Sequence, residues 1–145
     1  MFKNPSLITR IAVGKLIGLL IGVIGFIILP FFDPEITFKF RLGVLLWYTT
    51  LGAIIGVFGV FTWHPVFKFS MPWWFRSSLL GGWMNLILVL VSYDQLKMIM
   101  VSAFISDNNI VSSPFWIILE GIIVGLIIEY FATRYGGEGA ETVDS

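Results

Sequence analysis

The chain has 145 residues, nine basic and nine acidic side chains, and a formal net charge of zero. Charged residues make up 12% of it and apolar residues 57%, whereas soluble domains carry about 25% charged residues, and its mean hydropathy is +0.92. So few charges cannot cover a water-soluble surface, and no basic surplus marks a nucleic-acid partner. The absence of cysteine excludes disulfides, thiolate metal sites and cysteine nucleophiles, and one histidine, His64, cannot build a zinc site alone.

The apolar residues fall into four blocks, each near the length of about 17 to 25 residues that a membrane helix needs. The first spans about 7–29 and is ended by Pro30, Asp33 and Pro34. Lys3 and Arg10 precede its uncharged stretch, which is also how a cleaved leader begins. The block instead ends in Ile-Ile-Leu-Pro-Phe-Phe, with no small-residue cleavage site, so it reads as a retained span. The second block covers about 42–62, the third about 77–93 and the fourth about 115–132. The expected fold class is an all-α, polytopic bundle of four transmembrane helices in one domain, residues 1–135. Residues 136–145, small, polar and acidic, are expected to form a flexible tail.

Orientation is read from lysine and arginine placement. Four spans put Lys3, Arg10, Lys15, Lys68, Arg76 and Arg134 on one side, and Lys39, Arg41 and Lys97 on the other. The excess on the first side places both termini in the cytoplasm. Size and simplicity favour a bacterial inner membrane.

Two connections are richer than turns. Residues 63–76 interleave Trp63, Phe67, Phe69, Trp73, Trp74 and Phe75 with Lys68 and Arg76. Aromatic rings and basic groups suit the headgroup layer, so this stretch is expected to lie on the inner surface. His64 fits the same anchoring role. Residues 95–105 are apolar but short, and predict an interfacial helix or a shallow re-entrant segment, broken by the polar run at 106–109.

Glycine spacing is the strongest pattern. Gly14, Gly18 and Gly22 recur every fourth residue, followed by Gly25. Gly52, Gly56 and Gly59 mark the second span, Gly81 and Gly82 the third, Gly121 and Gly125 the fourth. Residues four apart share a helix face, so these glycines form grooves in which backbones approach closely. Packing within the bundle is the preferred reading. A groove for a partner or a second copy is the alternative, with the first span as its best candidate.

Charges inside the spans come next. Glu120 lies about one turn into the fourth span, roughly 6 to 8 Å deep at about 1.5 Å per residue. Glu129 follows nine residues later, nearly opposite at about 100° per residue, so the two do not form a catalytic carboxylate pair. A carboxylate near mid-membrane costs about 2.5 to 3.5 kcal/mol on insertion scales. Matching depths predict two ion-pair layers: Glu120 with Arg41, and Glu129 with Lys15 or Arg76. These pairs are expected to staple the bundle. The competing reading gives Glu120 a proton- or cation-binding role, with Thr49 and Asn85 as further pore-lining groups.

No phosphate-binding glycine loop, G-x-S-x-G elbow or His-carboxylate cluster is present. The sequence therefore predicts a non-enzymatic membrane component without a cofactor. Its expected partners are the lipid bilayer and a membrane-protein partner or a second copy, and it would act as an accessory, assembly or oligomerising subunit. The alternative is a proton or small-cation channel or transporter using Glu120. The third reading is a phage-type pore-forming lytic protein.

Overall fold

The computed structural model describes residues 5–63, 66–104, 110 and 112–143. Lys3, His64 and the polar run at 106–109 fall outside the described residues. The described residues form five α-helices in chain order: α1 (Leu7–Phe32), α2 (Phe38–Phe58), α3 (Trp73–Val91), α4 (Tyr93–Phe104) and α5 (Trp116–Gly136). Of these, α1, α2, α3 and α5 are long and apolar enough to cross a membrane. The 12 residues of α4 reach only about 18 Å, short of a bilayer core of about 30 Å.

Helix limits follow local chemistry. Ser6 caps α1 by accepting the Thr9 N–H at 3.3 Å, and Thr37 caps α2 by accepting that of Phe40 at 3.1 Å. Both α2 and α3 begin about one turn earlier than apolar content alone indicates. The polar and aromatic residues at their starts, including Lys39, Arg41, Trp73 and Arg76, are helical. Likewise α5 runs on through Arg134 to Gly136. Ser92 leaves helical geometry with φ −126° and ψ 28°, and separates α3 from α4.

The long helices pair as two antiparallel sets. A methyl group built on Gly14 would overlap the Gly52 carbonyl, one on Gly18 the Tyr48 carbonyl, and one on Gly22 the Leu45 carbonyl. As the α1 number rises the α2 number falls, so the pair is antiparallel with its backbones in contact. In the same way Gly81 of α3 meets Gly121 of α5, and Gly125 meets Ser77. The glycine ladders are thus filled by helices of this chain. Among the described glycines of the long helices, Gly43 has nothing within 4 Å.

Between the pairs lies a core of Val44, Leu51, Ile55, Val124 and Ile128. The α4 segment, the expected short apolar piece, is an amphipathic helix. Leu96, Ile99 and Met100 face inward, and Leu96 and Ile99 join Leu88 and Val89 in a second core. It covers the distal end of the bundle, taking the start of α1 as the proximal end. Gln95 Nε2 donates to Asp33 Oδ2 at 2.8 Å and ties it to the α1–α2 turn.

The connection after α2 folds tightly. Trp63 and Ser70 form an antiparallel bridge, and the Met71 N–H donates to the Thr62 carbonyl at 2.7 Å. Phe69 stacks edge-on with Phe75, ring centres 5.6 Å apart. Trp63, Val66 and Phe67 are exposed.

The segment after Gly136 does not hang free over its described part, residues 137–143. The Ser6 N–H donates to the Gly136 carbonyl at 2.7 Å, and the Gly139 N–H to the Gly59 carbonyl at 2.8 Å. Gly137 (φ 73°) and Gly139 (φ 91°) supply left-handed turns that side chains disfavour. A short 3-10 turn, Ala140–Thr142, follows, with Thr142 buried. The expected flexible tail instead docks on the ends of α1 and α2 through these backbone bonds.

Candidate functional site

Two polar layers are buried in the bundle. The proximal layer centres on Glu129 of α5. Arg10, in the first turn of α1, and Glu129 have side chains only 0% and 1% exposed. Arg10 Nη2 donates to both carboxylate oxygens at 2.9 Å. Arg76, near the start of α3, donates through Nη2 to Glu129 Oε1 at 2.5 Å and to Glu138 Oε2 at 2.8 Å. Thr133, one turn beyond Glu129, donates to Glu129 Oε1 at 2.9 Å. Two guanidiniums and two carboxylates thus form a cluster of zero net charge.

The remaining donors of Arg10 are also used. Nε donates to the Gly56 carbonyl at 2.8 Å and Nη1 to Thr133 Oγ1 at 3.0 Å. Nη1 also reaches the Gly137 carbonyl, and Nη2 the Ile55 carbonyl at 3.4 Å. A side chain on Gly59 or Gly136 would occupy the space of Arg10. Glycine at both positions therefore makes room for a planar group with five donors. Full hydrogen bonding is what makes a buried charge tolerable. Arg76 Nη1 donates to the Met71 carbonyl at 2.9 Å, and its Nε is buried with no partner among the described residues.

The distal layer centres on Glu120. Its Oε2 accepts from the Tyr48 hydroxyl at 2.5 Å and from Asn85 Nδ2 at 3.0 Å. Asn85, fully buried, also donates to the Ile117 carbonyl at 2.9 Å and accepts from Trp47 Nε1 at 3.2 Å. Three of the long helices (α2, α3 and α5) meet at this one carboxylate. Leu51, Ile55 and Ile128, all 0% exposed, separate it from the proximal layer.

The residues singled out in the sequence distribute unevenly over these layers. Glu129 and Arg76 sit together. Lys15, the other expected partner, is exposed, because it is one residue off the glycine face of α1. Arg10, counted in the sequence only as a terminal charge, is the fuller partner. A signal for it exists: Arg10, Gly14, Gly18 and Gly22 share one four-residue register and are all buried.

The expected pairing of Glu120 with Arg41 is replaced by another arrangement. Arg41 donates to the Phe26 carbonyl through Nε at 2.9 Å and Nη2 at 2.7 Å. Its guanidinium lies 4.0 Å from the centre of the Phe26 ring. The cause is Pro30, inside α1, which lacks the N–H that would bond the carbonyl four residues earlier. Asn85 and Glu120 do meet, but Thr49 does not join them. Its hydroxyl donates to the Leu45 carbonyl of its own helix at 2.9 Å.

Among the described residues no group of three or more His, Cys, Asp or Glu side chains is placed to hold a metal ion. Fold and site together define an all-α bundle with four helices of membrane-spanning length and two buried polar layers. Comparison with protein-family models, curated proteins and solved structures finds no match to this chain.

Proposed function

We propose that this chain is a non-enzymatic component of a membrane complex, an accessory, assembly or oligomerising subunit, with both termini on the cytoplasmic side of a bacterial inner membrane. The observation that carries this reading is the apolar layer of Leu51, Ile55 and Ile128 between Glu120 and Glu129. These three apolar side chains are fully buried, and such a layer between the two carboxylates supports a bundle that does not pass a hydrated ion. The proximal cluster has zero net charge and saturates Arg10, which suits a staple.

In this orientation the aromatic loop after α2 lies at the inner interface, and α4 at the outer one. The wide lipid-facing surface of α1, which buries the smallest share of the four long helices, is available to a partner helix. Gentle extraction, size separation and mass spectrometry test the reading. Stoichiometric partners or a defined homo-oligomer are expected, and a free monomer would contradict it.

The second reading, a proton or small-cation conductor, is favoured by one observation. Tyr48, Glu120 and Asn85 form a hydrogen-bonded cluster about one turn from the distal end of α5. Proton flux in liposomes that Glu120→Gln abolishes would move it to the front.

A further inference from the structure

A cavity of about 410 Å³ lies between α1, α2, α4 and α5, within the size range of about 300 to 1,000 Å³ typical of small-molecule sites. Its walls are apolar and include Ile24, Ile28, Val44, Ile99 and Phe104. Ile24, Ile28 and Phe104 are themselves exposed, so the rim between α1 and α4 faces the surroundings of the bundle. Within the bilayer an occupant would enter sideways, from the hydrocarbon. The polar side chains lining the cavity are Tyr48 and Glu120.

Glu120 is incompletely satisfied there. Both of its hydrogen bonds go to Oε2. Oε1 accepts nothing from the described residues, and it is not sealed off as Arg76 Nε is. No ion pair reaches Glu120 among the described residues, since Arg41 is held at Phe26. Gly25 continues the glycine-rich face of α1, yet a methyl group there would meet only Val44 Cγ1, at 3.5 Å. Gly14, Gly18 and Gly22 bring backbones together, whereas Gly25 lines the cavity.

We infer that this cavity is a binding site for a lipophilic amine. Its hydrocarbon body would lie along Ile24, Ile28 and Ile99, and its ammonium would donate to Glu120 Oε1. Charge complementarity selects the class. A carboxyl group without an ion-pair partner in an apolar chamber favours an amine, which can take its proton and pair with it, over a neutral or anionic head. The body must be apolar because the walls and the lateral entrance are.

The test uses the full chain in a non-ionic detergent, titrated separately with decylamine, decanol and decanoate, with bound molecules counted by native mass spectrometry. One decylamine per chain is expected, with decanol bound about tenfold or more weakly and decanoate weaker still. Glu120→Gln keeps an acceptor for Tyr48 and Asn85, and is expected to bring decylamine down to the decanol level. Gly25→Leu puts an isobutyl group into the cavity from a position where an added methyl meets only Val44 Cγ1, and is expected to remove both ligands while the melting temperature is kept. Equal binding of decylamine and decanoate overturns the proposal, as does decylamine binding that survives either variant. A co-purified phospholipid or second copy that Gly25→Leu releases, but decylamine cannot displace, also overturns it.

Discussion

Arg10 and Glu129 lie 119 positions apart in sequence and meet with both carboxylate oxygens 2.9 Å from one guanidinium nitrogen. The contact joins the start of α1 to the end of α5, so it closes the bundle at its proximal end. Arg76 completes it from α3. Removing Glu129 leaves Arg10 buried without its carboxylate, while Arg76 keeps Glu138, and breaking a buried pair in this way costs about 3 to 5 kcal/mol. Glu129→Ala is therefore expected to lower stability by that order in denaturant-induced unfolding. Arg10→Ala in the Glu129→Ala background should cost clearly less than Arg10→Ala alone, since contacting groups are not additive. Strict additivity would show that the pair is not coupled.

The two helix seams make a contrasting prediction about space. At Gly14 or Gly18 a methyl group overlaps a backbone carbonyl of α2, and at Gly43 it meets nothing within 4 Å. Forced overpacking costs about 1 to 3 kcal/mol. Gly14→Ala and Gly18→Ala are each expected to lower the melting temperature, while Gly43→Ala leaves it unchanged or raises it, because alanine is the better helix former. Thermal unfolding of the purified variants checks this, and a uniform response would contradict the seam.

Pro30 and Arg41 are linked through the Phe26 carbonyl. Proline at position 30 frees the Phe26 carbonyl, and Arg41 takes it up. Arg41→Ala should cost about 1.5 to 3 kcal/mol, the value of hydrogen bonds to a charged donor. In a Pro30→Ala background the helix supplies its own N–H, and the cost of Arg41→Ala should fall by half or more. A double-mutant cycle measures the difference. Equal costs in both backgrounds would sink the link.

The docked segment after α5 gives a further expectation. Gly139 pairs with Gly59, and Glu138 with Arg76. Glu138→Ala is expected to speed hydrogen exchange at Gly139 while leaving the amides of mid-α5 protected. Unchanged exchange at Gly139 would mean that the backbone bond alone holds the segment.

Much of the architecture is legible in the sequence because its two strongest signals are local. Block length marks the four long helices, and four-residue glycine spacing marks the faces that meet. The boundaries are less legible. Hydropathy undercounts helix ends such as 38–41 and 73–76, where aromatic and basic residues extend the helix beyond the apolar stretch.

Ion-pair partners are less legible than helix faces. Depth alone pairs Glu120 with Arg41, but the arginine answers the Phe26 carbonyl that Pro30 leaves free, and only the α1–α2 hairpin brings the two together. Depth also makes Lys15 and Arg76 equal partners for Glu129. Helical register separates Lys15, off the glycine face, from Arg10, on it. The docking of 137–143 rests on backbone bonds between distant segments, which composition does not encode.

Leu51, Ile55 and Ile128 separate the two polar layers, and the proposed role as a subunit requires that this layer not conduct. Proton flux in liposomes containing the purified chain, with an imposed pH gradient and a dye inside, measures this. The gradient is expected to decay at the rate of protein-free liposomes, and Glu120→Gln to change nothing. A decay that depends on the protein and disappears in Glu120→Gln would contradict it.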